Sequence, residues 1–361
     1  GAQPGYLSVF PSESGLPATS NLNTRQDGFP TPNLVVALPD DARDVCIYSQ
    51  FRTDLLIDLT GWWTETGDQR FTSIPPVRVD DSRTDPGRPV VPAGSIRTID
   101  LSSVVPSGTT AVVANLTVTE PVGDGYITAF PCGTVPDTSN LNFRAAESRA
   151  VAIITGVDAA ARFGVRSVVD AHVVVDLTGY SAPAPQFGPA AELRPLTGRR
   201  LADSRSGEGG WTEKFAAGTI RRLRPADGLG FESQATAAIV NVVATEADAP
   251  GYVTIYPCDR ELPHTSVVNY TPGGESTNMA VVDLSDQGEI CFFTHAGVHL
   301  VVDLFGMMAA PSGTLAERFE FGGFTWPPLS TEGTDYVVEC HDRAVDVRLD
   351  LLKDTTARIN G

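Results

Sequence analysis

GYITAFP, Gly125 to Pro131, is the stretch on which the fold turns. Tyr126, Thr128 and Phe130 alternate with Ile127 and Ala129, so one side is polar and aromatic and the other aliphatic. That period of two marks a strand, and the flanking Gly and Pro bound it. The same pattern stands at Gly5 to Pro11 as GYLSVFP and at Gly251 to Pro257 as GYVTIYP. Copies spaced by roughly one domain length are copied domains rather than solenoid turns.

Outward from each strand the copies stay in step. A short segment follows and ends at Asn23, Asn142 or Asn269, where the side chain suits a turn. Each copy then closes on an apolar run: LLIDLTGW at Leu55 to Trp62, VVVDLTGY at Val173 to Tyr180, LVVDLFGM at Leu300 to Met307. Unbroken apolar runs read as central strands covered on both faces. Of the adjacent Trp62 and Trp63, one is expected in the core and the other outside. Copies two and three also open alike, with RVDDSR at Arg78 to Arg83 and RLADSR at Arg200 to Arg205, followed by VVANLTVTE ending at Glu120 and AAIVNVVATE ending at Glu246. Copy one has no counterpart to either segment, so the chain is expected to start inside a repeat.

About eight strands per complete copy predict an all-β chain of tandem β-sandwiches, jelly-roll-like in type. The expected divisions are a partial first sandwich at 1–63, a linker at 64–76, a second sandwich at 77–180, a Pro-rich linker at 181–197, a third sandwich at 198–308, and the start of a further, incomplete β domain at 313–361. The proline content of the second linker predicts a semi-stiff spacer, and the copies are expected to lie like beads on a string.

Composition narrows the function. With 42% apolar and 19% charged residues, 34 Gly and 27 Pro, the chain suits short strands joined by many turns. A net charge of −18 argues against nucleic acid and anionic lipid as partners. No apolar run is long enough for a membrane span.

Overlaying the copies gives the cysteines a meaning. Cys258 follows the third GY strand and Cys291 precedes Asp303 on a strand expected to neighbour it, so a Cys258 to Cys291 disulfide is predicted, and with it an oxidising, extracellular setting. Copy one keeps only Cys46 of this pair and copy two only Cys132. Neither has an evident partner, and the fate of Cys340 is open.

Charged residues at fixed places in apolar surroundings are the candidate site: Asp81, Arg83 and Asp176 in copy two, Asp203, Arg205 and Asp303 in copy three, with Asp58 in copy one. Two readings stand, a sugar or calcium site and an Asp to Arg bond pinning the first strand to the last; the second is preferred because a calcium loop gathers its oxygens in a short span. Tyr126 and Phe130, and Tyr252 and Tyr256, form candidate aromatic platforms for sugar, against a packing role. Asn115-Leu-Thr and Asn269-Tyr-Thr match the glycosylation pattern. No catalytic motif, metal set or cofactor motif is found.

The order RLADSR at Arg200, VVANLTVTE at Val112, GYITAFPCG at Gly125, TSNLNF at Thr138, VCIYS at Val45 and HVVVDLTGY at His172 resembles a β-rich repeat family of secreted and cell-surface proteins of actinobacteria. Such repeats accompany peptidoglycan hydrolases and other secreted enzymes, which implies a targeting or spacer role. The tail's FTWPPLSTEGTDYVVEC is similar to the opening of a bacterial cadherin-like sandwich, also present in proteins resembling arylsulfotransferases. The expectation is a non-catalytic extracellular spacer, anchor or presenting module, with cell-wall glycan or a surface protein as candidate partner. Two alternatives accompany it. One is an accessory region of a larger secreted enzyme with its active site beyond residue 361. The other is a subunit of a surface polymer that oligomerises by strand complementation through its incomplete terminal domains.

Overall fold

The computed structural model describes residues 5–25, 27–64, 69–87, 90–183, 191–230 and 234–309, and the backbone of four short strands beyond. It is all-β, built from antiparallel sheets. Copy one supplies β1 (Tyr6–Pro11), β2 (Leu22–Asn23) and β3 (Val45–Ser49), joined in the order β2-β1-β3.

Copy two runs β4 (Gln69–Asp81), β5 (Ile96–Asp100), β6 (Ala111–Thr119), β7 (Gly125–Pro131), β8 (Leu141–Phe143), β9 (Arg149–Gly156), β10 (Arg162–Ser167) and β11 (His172–Pro183). Copy three repeats this as β12 (Glu192–Asp203), β13 (Ile220–Leu223), β14 (Ala235–Thr245), β15 (Gly251–Pro257), β16 (Val268–Tyr270), β17 (Ser276–Asp283), β18 (Ile290–Thr294) and β19 (His299–Ala309). The sheets are β4-β11-β6-β9 with β5-β10-β7-β8, and β12-β19-β14-β17 with β13-β18-β15-β16. In each copy the first, eighth, third and sixth strands form one sheet and the second, seventh, fourth and fifth the other, which is a jelly roll. Beyond Ala309, β20 (Ala316–Phe321) pairs with β23 (Val347–Leu351), and β21 (Thr325–Trp326) with β22 (Val337–Val338). Cys340 lies outside the described residues.

Alternation along the GY strands places Ile127, with Leu116, Phe163, Val173 and Val175, between the two sheets of copy two. Val253, Ile255, Val240, Phe292 and Val302 do the same in copy three. β11 and β19 are central strands of their sheets, so their other faces need cover as well. The neighbouring copies supply it: Val36 of copy one, Phe71, Val113 and Ala152 of copy two, and Ala237, Ile239, Met279, Val281 and Met308 of copy three form one shared apolar cluster. The copies are therefore packed together rather than strung out. The string-of-beads expectation fails because one sheet of each sandwich is apolar on both faces, and burying the outer face is worth about 25 cal/mol per Å² removed from water.

The expected linkers are shorter than predicted. β4 begins at Gln69, inside 64–76, and β12 begins at Glu192, inside 181–197. Prolines hid both strands. Pro75 and Pro76 fall where the register of β4 slips against β11, and Pro195 where β12 slips against β19. On an edge strand at a bulge, a missing N–H costs no ladder bond.

The closing run of copy one departs from its reading as a covered central strand. Leu55 to Trp62 pairs with no strand, and Leu56, Ile57, Leu59 and Trp62 are 92%, 72%, 80% and 77% exposed. Trp63, at 41%, is also outside the core. Its equivalents β11 and β19 are each held between a first and a third strand. Among the described residues copy one forms neither, and there the run has apolar side chains without neighbours and backbone groups without strand partners.

Candidate functional site

The recurring charges and amides meet at the seams between copies. In copy two, Arg78 donates from Nε and Nη2 to the two oxygens of Asp176, at 2.8 and 3.1 Å. In copy three, Arg200 binds Asp303 the same way, at 2.7 and 3.1 Å. Each pair bonds the first strand to the last, and the fork-to-fork geometry fixes both groups. Both carboxylates are almost fully buried. Burial pushes each up from the ordinary carboxylate range, and the arginine beside it pulls back only in part.

What the carboxylates face is the next copy. The Ser266 amide of copy three faces Asp176, and the Ser20 amide of copy one donates to Asp303 at 3.3 Å. Beside them, Asn115 donates to the Ser266 carbonyl and Asn241 to the Ser20 carbonyl. A second asparagine locks each seam. Asn278 donates to Asn115 Oδ1 at 2.8 Å and accepts from the Ala152 amide at 2.7 Å. Asn33 donates to Asn241 Oδ1 at 2.9 Å and accepts from the Met279 amide at 3.2 Å. Copy two thus grips copy three as copy three grips copy one. The space left at the first seam is about 20 Å³, room for about one water and none for a substrate.

Copies one and two touch differently. Arg25 bonds Glu147 at 2.7 Å, Arg144 bonds Asp27 at 3.0 Å, and the Arg144 guanidinium lies 4.3 Å from the centre of the Phe29 ring. The hydrogen bond from Arg25, first among several, holds the Asp27 carboxyl well below the usual range.

Asp81 and Asp203 sit at the ends of β4 and β12. Each accepts the backbone and guanidinium of the arginine two residues on, Arg83 or Arg205, in a closed loop. The bond from Arg83 lowers the Asp81 carboxyl; burial would raise Asp203, but the bonds from Arg205 bring it below its ordinary value. Ser82 Oγ meets His172 Nδ1 and Ser204 Oγ meets His299 Nδ1, both at 2.9 Å, while accepting the amides of Val173 and Leu300. Both hydroxyls are buried, so they pin strands rather than face a substrate.

The aromatic pairs divide. Phe130 and Tyr256 are buried on the face of their strands turned away from the sandwich core, which removes them from any platform. Tyr126 and Tyr252 are half-buried, and Tyr252 stacks on His295 with centroids 5.0 Å apart. Cys258 and Cys291 are joined in a disulfide with Cα atoms 5.0 Å apart. Cys46 and Cys132 are free thiols, and burial pushes Cys132 up. Among the described residues no group of three or more His, Cys, Asp or Glu side chains is placed to hold a metal, and no helix is long and apolar enough to cross a membrane.

Sequence reading missed the seam amides. Asn115 and Asn241 hold the same place in VVANLTVTE and AAIVNVVATE, a lone amide in an apolar run, and that was the available signal. Asn115 is instead part of a glycosylation pattern, which its burial in the seam closes to modification.

No family model matches the chain, and no curated protein does. Solved structures give faint likenesses. A tandem CBM22-1-CBM22-2 domain of Paenibacillus barcinonensis Xyn10C is 12% identical over 67% of this chain and 94% of that one, with a TM-score of 0.18. YhaK from Escherichia coli is 11% identical over 60% and 82%, with a TM-score of 0.17. The Macrobrachium rosenbergii nodavirus structure is 10% identical over 76% and 97%, with a TM-score of 0.17. The fold is accordingly read from the chain's own strands.

Proposed function

We propose that this chain is a non-catalytic, extracellular module of the secreted actinobacterial repeat type, a body that spaces or presents something at the cell envelope. One observation carries this reading. The charged and amide residues that recur at fixed places, Arg78, Asn115 and Asp176 with their equivalents Arg200, Asn241 and Asp303, are consumed in holding strand to strand and copy to copy. The Cys258 to Cys291 disulfide adds support, since such bonds persist in oxidising compartments. Asp203→Ala is the test. A lowered Tm with unchanged retention on purified peptidoglycan supports the reading, and an unchanged Tm with lost retention overturns it.

Carbohydrate binding is a second reading, favoured by the half-exposed Tyr252 stacked on His295. A ring so backed presents a flat apolar surface of the kind that takes a sugar face. Tyr252→Ala is expected to weaken cosedimentation with cell-wall glycan, and equal retention of both proteins removes the platform.

A further inference from the structure

Copy one shows an apolar run with its neighbours missing, and the two complete copies show what those neighbours are. Asp58 corresponds to Asp176 and Asp303, so Leu55, Ile57 and Leu59 correspond to Val173, Val175 and Leu177, all wholly buried between sheets. In β11, Asp176 lies across from Arg78 on one side and Asn115 on the other. In β19, Asp303 lies across from Arg200 and Asn241. Asp58 is exposed and has no hydrogen bond or ion pair. Gly61 repeats the point: a Cβ built on its equivalent Gly179 would lie 2.3 Å from Phe71 of the first strand, whereas one on Gly61 meets nothing.

The seams are incomplete in the same place. Copy two grips Ser266 of copy three and copy three grips Ser20 of copy one, but the matching Ser139 of copy two takes part in no such clamp. Its gripping carboxylate would be Asp58.

We propose that Leu55–Trp62 is the seat of a half-repeat segment carrying the three strands that precede the GY strand in the other copies, of the pattern RxxDSR, then IR, then VVxNxxxTE. Such a segment brings an arginine and an asparagine to the two sides of Asp58. It covers Leu56, Ile57, Leu59 and Trp62, and it adds a third clamp, onto Ser139, to the contact that copies one and two already make through Arg25, Glu147, Asp27 and Arg144. This inference is independent of the function proposed above, since it rests on strand partners alone.

The test uses the full chain with a recombinant fragment of the pattern, residues 69–120 of this sequence, added in trans, and a second protein with that fragment fused ahead of Gly1. Hydrogen exchange is followed over residues 55–62. Fast exchange in the free chain, slowed at least tenfold in both the mixture and the fusion, with a blue shift of tryptophan emission from Trp62 and Trp63, is the expected result. Slowed exchange in the fusion alone also supports the seat, the free fragment then being too unstable to fold onto it. Asp58→Arg in the fusion is expected to return exchange to the free-chain rate, because it sets a cation against the incoming arginine. Unchanged fast exchange in the fusion overturns the proposal. So does protection in the chain alone that appears with rising concentration, which would make a second copy the occupant.

Discussion

At the scale of the residue, two kinds of carboxylate respond to pH in opposite ways. Asp81 is lowered by Arg83, so its contribution is present above the unfolded value of about 3.9 and is lost as pH falls through its folded value. Asp303 is raised by burial, so its contribution is present below the unfolded value and is lost as pH rises through its folded value. Urea denaturation between about pH 3.5 and 7 checks this: the cost of Asp81→Asn should grow with pH and that of Asp303→Asn should shrink. Removing the cation is harsher. Arg200→Met strands Asp303 in a buried seam and should cost about 3–5 kcal/mol by the same measurement. The disulfide is a separate residue-scale term, and Cys258→Ser should lower stability by about 2–4 kcal/mol.

At the scale of the element, the edge strands explain where reading by pattern failed. β4 and β12 carry prolines inside the strand, and the pattern of alternation breaks where the bulges fall. The other seven strands of copy three are legible because each is alternating or continuously apolar and bounded by turn residues, whereas β12 is legible only over its RLADSR end. The run at Leu55 was legible as a strand by the same criteria, yet apolar content decides only what a segment can do when partners are present. Gly179 is the element-scale prediction. Its missing side chain lets Phe71 lie across the bulge of β11, and Gly179→Val should overpack this contact and cost about 1–3 kcal/mol, read from the urea midpoint.

At the scale of the whole molecule, the shared cluster and the asparagine clamps make the copies one cooperative body. Calorimetry should show copies two and three melting in one transition. Isolated copy three, Glu192–Ala309, should melt lower, because Ala237, Ile239, Met279, Val281 and Met308 lose their cover. Asn278→Ala should separate the transitions in the full chain, since it orphans Asn115 Oδ1 and the Ala152 amide at about 1–3 kcal/mol per group. Two transitions in the unmutated chain would show the seams to hold nothing.

The amino-acid order alone determined that the chain is a repeat of all-strand sandwiches and which cysteines bond, because period, boundary residues and copy-to-copy correspondence are local properties of the sequence. That Arg78 and Arg200, rather than Arg83 and Arg205, reach the carboxylates of the last strand came from the fold. Only the tertiary structure decided that the copies close against one another. The outer face of a central strand looks the same whether a loop, a ligand or another copy covers it. Asn115 is a sequon in the sequence and a buried clamp in the fold, because its partner Ser266 lies far along the chain and arrives only when copies two and three pack against one another.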